Sequence, residues 1–218
     1  MSSLLLTGFE PFGEVPVNPS ALVVEHILQS AGGGGSSPQL VGEILKTEFR
    51  AAESRIRTLI QAHQPDTVIA VGVAPRATGI RLERSAANVD DAHLPDNAGY
   101  QPTGVAIVEG GCQTLSASLP LEQMLDALLE MDIPASLSDD AGRYVCNHVM
   151  YAALDEIRST GLRARCGFIH IPLCADLQAP GVAPASNVTL AQSIAAVERC
   201  IAVALDRGSD REVSVGTH

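Results

Sequence analysis

The chain has 218 residues, 46% of them hydrophobic and 18% charged, a balance that builds a packed core and excludes the disordered class. Its formal net charge of −11 and pI near 4.8 exclude a nucleic-acid partner, which needs a concentrated Lys/Arg patch. The opening MSSLLLTGFEPFG lacks a basic n-region, and no run approaches the ~20 apolar residues of a membrane span; a cytoplasmic protein without a membrane partner is expected.

In chain order, SLLLTG reads as a short buried strand ended by Gly8, and PSALVVEHILQS as a helix started by Asn18 or Ser20. AGGGGSSP, residues 31–38, is a surface loop by composition. QLVGEIL predicts a strand, EFRAAESRIRTLIQAH an amphipathic helix, and DTVIAVGVA a buried strand after Pro65. LEQMLDALLEMD and VCNHVMYAALDEIRSTG predict two more helices, the second stopping near Gly161. RCGFIHIPL predicts a strand and TLAQSIAAVERCIAVALD a final long helix. Strands alternating with helices predict an α/β fold: a three-layer α/β/α sandwich around a twisted, mostly parallel central sheet. One domain over residues 1–210 is expected, with a flexible tail at 211–218.

The five cysteines, Cys112, Cys146, Cys166, Cys174 and Cys200, are odd in number and form no CxxC pair. That pattern suggests reduced thiols rather than disulfides or a structural zinc site. Cys146 falls in the first turn of its predicted helix, where backbone N–H groups and the helix dipole favour a thiolate nucleophile. An inert, buried helix cysteine is the alternative. His170 lies near the carboxyl end of a buried strand, where open α/β sheets bind ligands and a general base is well placed. It could equally be a core histidine satisfied by a carbonyl. A metal pair with Cys174 would need a helix that this segment does not form. His148, two residues beyond Cys146, points elsewhere on the helix.

Residues 81–104, RLERSAANVDDAHLPDNAGYQPTG, read as a long polar loop with PDNAG as its turn. Glu83, in this loop just after a hydrophobic strand, could orient an imidazole or pair on the surface with Arg81 or Arg84. TGFEPFG is Gly-punctuated but has neither GxGxxG nor GxxxxGK[ST]. Phe9 and Phe12, two of only four Phe, fall in this predicted loop and could line a ring-sized apolar pocket.

LLTGFEPFGEVPVNPS, VGVA followed by LERSAANVDDAHLPDNAG, AGRYVCNHVMY and GFIHIPL, in this order across residues 4 to about 175, resemble the pyroglutamyl peptidase I (pyrrolidone-carboxylate peptidase) family of cysteine peptidases. The resemblance implies an exopeptidase that removes 5-oxoproline from peptide N-termini with a Glu, Cys, His triad. It assigns Cys146 as nucleophile, His170 as base and acid, and Glu83 as the orienting carboxylate. It makes Phe9 and Phe12 the residues that stack on the ring, and puts Asn18, Thr47, Leu94, Tyr144 and Val145 in the pocket, Leu94 and Tyr144 replacing a common Ile and Phe. The oxyanion would be held by backbone N–H groups near Cys146. The lactam lacks the amino-terminal charge, so a slot with no acidic anchor is expected. Val73 stands where some bacterial relatives carry a ring-contacting Gln, APRATG replaces their Gly-Gly-Arg run, and His93 replaces an Arg near the site. The resemblance further implies peptides with N-terminal pyroglutamate as partners, no metal or organic cofactor, and a homo-oligomer, tetramer or dimer. Two alternatives stand beside it: a catalytically impaired relative that binds pyroglutamyl-like ligands, and a cysteine amidohydrolase of another small cyclic or N-blocked amide.

Overall fold

In the computed structural model, which describes residues 2–13, 17–31, 39–177 and 185–206, β1 (Ser3–Phe9) leads through α1 (Pro19–Ala31) to β2 (Gln39–Leu45). Helix α2 (Phe49–His63) and β3 (Thr67–Val73) follow, then four short strands and the helix they enclose: β4 (Ile80–Glu83), β5 (Ser85–Ala87), β6 (Thr114–Ser116), α3 (Leu121–Leu129) and β7 (Ala135–Ser138). Helix α4 (Val145–Thr160), β8 (Arg165–Ile171), a 3-10 turn (Ala175–Leu177) and α5 (Leu190–Leu205) complete the chain. The predicted tail at 211–218 and all of the 31–38 loop except Ala31 lie outside the described residues.

Six strands form one sheet in the order β2-β1-β3-β8-β4-β7. The first four are parallel, β4 runs antiparallel to β8, and β7 is parallel to β4. Strands β5 and β6 make a separate antiparallel pair. The apolar alternation of the parallel strands sends successive side chains to opposite faces. Leu5, Phe9, Val68, Ala70 and Phe168 pack against α2 and α4, while Leu4, Leu6, Ile69, Val71 and Ile169 pack against α1, α3 and α5. The sheet is mostly parallel and covered by helices on both sides.

This periodicity places the chemistry. Ile80, Leu82, Ile169 and Ile171 belong to the α1/α3/α5 side, so Arg81, Glu83 and His170, out of phase with them, face α4. The carboxyl ends of β3 and β8 and the amino end of α4 therefore meet, as ligand sites in open α/β sheets require.

Several expectations are corrected. Strand β1 runs one residue past Gly8, so Phe9 is a strand residue, 2% exposed, rather than a loop residue. Glu83 ends β4 instead of lying in a loop. Strands β4, β5, β6 and β7 are three or four residues long, and IRLE, SAA, TLS and ASLS contain no apolar run that would announce them. Helix α3 stops at Leu129, three residues early, because Asp132 turns to a positive φ of 55°. Helix α4 ends where Gly161 predicted, with φ 69° at that residue.

Candidate active site

Cys146 is the second residue of α4, half-buried, with Tyr144 in the extended N-cap position. The N–H groups of Val145, Cys146 and Asn147 belong to the first turn, which has no preceding carbonyls to bond. Gly72 on β3 lets the sulfur lie against the sheet. A Cβ there would stand 2.9 Å from Cys146 Sγ and 2.7 Å from Phe168 Cζ.

Nδ1 of His170 lies 2.8 Å from Oε1 of Glu83, and Cys146 is the other group that acts on the imidazole. Burial pushes the imidazole down, but its hydrogen bonds and charge contacts with Cys146 and Glu83 outweigh this and raise it to about 9. The ring thus lies between the Cys146 sulfur and the Glu83 carboxyl group, the setting in which a thiolate–imidazolium pair forms. Glu83 is fully buried. Its Oε1 also meets Arg81 Nε at 3.6 Å, while Oε2 has no partner among the described residues. The surface-pair alternative for Glu83 is thus half right: Arg81 pairs with it, but in the interior, and Arg84 turns instead to Asp139 at 3.3 Å.

Cys146 and His170 open onto a cleft of about 510 Å³. Phe9, Phe12, Asn18, Thr47, Val73, Leu94, Tyr144 and Val145 all line it. The Phe12 and Tyr144 rings are 6.0 Å apart. Asn18 Nδ2 and Thr47 Oγ1 both donate to the Glu10 carbonyl, at 3.0 and 2.8 Å, which ties α1 and the β2–α2 connection to the end of β1. Asn18 Oδ1 also accepts from Ser20 N–H at 3.0 Å, capping α1 as its sequence position suggested. The Tyr144 hydroxyl donates to the Pro95 carbonyl at 3.1 Å; burial first, then the nearby Asp96 and Cys146, raise the phenol to about 12.

The cleft also holds residues that the sequence reading passed over: Arg76, Arg81, Asp91, Asp140 and Arg143. Asp140 to Arg143 lie just before the nucleophile's helix, so their nearness was legible from spacing. Arg81 is the direct antiparallel partner of His170, a pairing no local signal announces. Asp91 and Asp140 give the cleft two exposed carboxylates. His93 lines it as well. His148 points away from Cys146, as its spacing predicted, and is buried between Asp90 at 2.7 Å and Glu53 at 3.3 Å. Among the described residues no three His, Cys, Asp or Glu side chains are grouped to hold a metal ion, and no helix is long and apolar enough to cross a membrane.

A family model described as pyroglutamyl peptidase matches residues 2–207. A pyrrolidone-carboxylate peptidase of Erwinia tasmaniensis is 38% identical over 219 residues, spanning 100% of both chains. One of Yersinia pestis is 38% identical over 216 residues, covering 99% of each. The crystal structure of pyroglutamyl peptidase I from Bacillus amyloliquefaciens superposes with a TM-score of 0.86 at 35% identity, covering 94% of this chain and 97% of that one. A mutant pyrrolidone carboxyl peptidase from the hyperthermophile Pyrococcus furiosus gives a TM-score of 0.87 at 32% identity, covering 94% and 99%.

Proposed function

The chain belongs to the pyroglutamyl peptidase family, and from that premise we propose that Cys146, His170 and Glu83 carry out its reaction. The enzyme is a cysteine-type exopeptidase that hydrolyses the amide bond after an N-terminal pyroglutamyl residue. The observation that carries the assignment is the placement of the imidazole: His170 holds Glu83 at 2.8 Å through Nδ1 and lines the wall of the cleft together with Cys146.

The lactam enters among Phe9, Phe12, Leu94 and Tyr144, with its acyl carbonyl at Cys146 Sγ. The thiolate attacks that carbon, and the oxyanion is held by first-turn N–H groups of α4. The imidazolium then gives its Nε2 proton to the departing amine, the C–N bond breaks, and a thioester remains. Water, deprotonated by the neutral imidazole, attacks the thioester, the C–S bond breaks, and pyroglutamate is released, restoring the thiolate–imidazolium pair. Glu83 keeps Nδ1 protonated, so that Nε2 faces the sulfur throughout.

The test is release of a fluorescent amine from a pyroglutamyl amide under reducing conditions. Cys146→Ala is expected to lower kcat by about 10⁴-fold or more, and Glu83→Gln by about 10² to 10⁴-fold. Parent activity that survives Cys146→Ala would refute the assignment. Three further readings are carried as proposals. A single domain over 1–210 is supported by one sheet that joins strands from Ser3 to Ile171. A cytoplasmic location is supported by five free cysteines. Assembly as a dimer or tetramer rests on the family resemblance, and native sizing tests it.

A further inference from the structure

The lactam and the scissile carbonyl occupy only part of the cleft, whose 510 Å³ exceeds the volume of a five-membered ring. Much of the remaining wall comes from the turn after β3 and the loop before α4. It carries three guanidinium groups, those of Arg76, Arg81 and Arg143. A chain of net charge −11 thus gathers three of its 14 Lys and Arg residues at one opening.

The chemistry sets which substrate part lies there. His170 must reach the departing nitrogen, so the leaving chain lies on the His170 side of Cys146. Arg81 pairs directly with His170 in the antiparallel ladder, and such partners project from the same face. Arg81 therefore stands on the side of the leaving chain, and Arg76 and Arg143 line the same cleft.

Their own partners differ. Arg143 is engaged by Asp140 at 2.9 Å, which also accepts the Gly142 N–H at 3.0 Å. Arg81 is engaged by Ser138, the Asp140 carbonyl and the sealed Glu83. Arg76 is exposed at the tip of a turn closed by Ala77 N–H on the Ala74 carbonyl, 3.0 Å, and anchored by Ala74 N–H on the Ile171 carbonyl, 2.9 Å. Among the described residues its guanidinium has no hydrogen-bond or ion-pair partner. Asp91 is an exposed carboxylate of the same lining.

We propose, resting on the pyroglutamyl peptidase reading above, that this wall is a leaving-group subsite for a carboxylate, with Arg76 as its primary contact. The enzyme then favours substrates in which the residue after pyroglutamate is acidic or ends the chain as a free carboxylate. Both sources present the same planar group to the guanidinium fork.

Two substrate pairs separate the sources at low ionic strength. Pyroglutamyl-glutamate amide against pyroglutamyl-glutamine amide reads the side chain; pyroglutamyl-alanine against its amide reads the chain end. Pyroglutamyl-lysine amide supplies the opposite charge. A kcat/KM preference of about fivefold for the carboxylate is expected in at least one pair, the scale of a solvent-exposed ion pair, and it should shrink as salt is added. Arg76→Gln should bring that ratio toward one, and Arg76→Glu should turn the preference toward the lysine substrate. If the neutral amides are cleaved but neither pair discriminates, or the preference survives Arg76→Gln, the subsite is wrong and the reaction assignment stands. If the folded enzyme cleaves none of the substrates, the reaction reading has failed first.

Discussion

Gly72 shows how one missing side chain shapes the catalytic centre. The sulfur of Cys146 and the ring of Phe168 both press on the space where a Cβ would go, at 2.9 and 2.7 Å. Gly72→Ala therefore forces the ring, the sulfur or β3 to shift. Overpacking of this kind costs about 1–3 kcal/mol, and a displacement of the nucleophile by a fraction of an ångström lowers turnover well before it unfolds the protein. We expect a fall in kcat of about tenfold or more with a moderate drop in the urea midpoint; unchanged turnover would mean that the sulfur tolerates displacement. At this scale the sequence is legible only in part. Cys146, His170 and Glu83 each had a bland reading when taken singly, and four motifs in order separated function from packing. Gly72 carried no local sign of its role, because the atoms it admits come from α4 and β8.

Elements differ in where their ends are satisfied. Helix α5 is capped by its own sequence: Thr189 accepts the Gln192 N–H and the Gln192 side chain accepts the Thr189 N–H, a capping box. Helix α2 is not, since Glu48 makes no side-chain cap. Its first N–H, that of Phe49, is taken by Asp96 Oδ2 at 2.9 Å, while Asp96 Oδ1 accepts the N–H groups of Ala98 and Tyr100 at 3.0 and 2.8 Å. The PDNAG turn read from sequence is thus also the cap of a helix 47 residues earlier. Asp96→Ala removes both acceptor oxygens, and with them all three bonds, and should cost about 1–3 kcal/mol. The same turn carries Leu94 into the cleft and Pro95 to the Tyr144 hydroxyl. KM for pyroglutamyl substrates should therefore rise along with the loss of thermal stability, and a destabilised variant with unchanged KM would separate the cap from the pocket.

Across the whole molecule, His148 fastens α4 to two distant regions through Asp90 and Glu53. Arg57 extends the cluster to Glu53, Asp155 and Glu156, at 3.1, 3.0 and 3.1 Å. Burial pushes the His148 imidazole down, but the hydrogen bonds and charges of Asp90 and Glu53 raise it from 6.5 to about 9. The folded protein thus keeps a proton that the unfolded chain releases between those values. This stabilisation is complete below about pH 6.5 and is lost as pH rises through about 9, with a slope near 1.4 kcal/mol per pH unit inside the window. Urea midpoints taken across it should fall with pH in the parent and fall less in His148→Gln; parallel profiles would exclude the cluster as their source. By itself the sequence determined the α/β class, the helices and the parallel strands, because periods of 2 and 3.6 are local signals, and its ordered motifs determined the reaction class. Tertiary structure alone decided that β4 and β7 run against the rest, that Arg81 stands across from His170, and that Glu83 reaches an imidazole 87 residues away. Backbone propensity acts over a few residues, whereas those pairings exist only once the sheet has brought distant strands together.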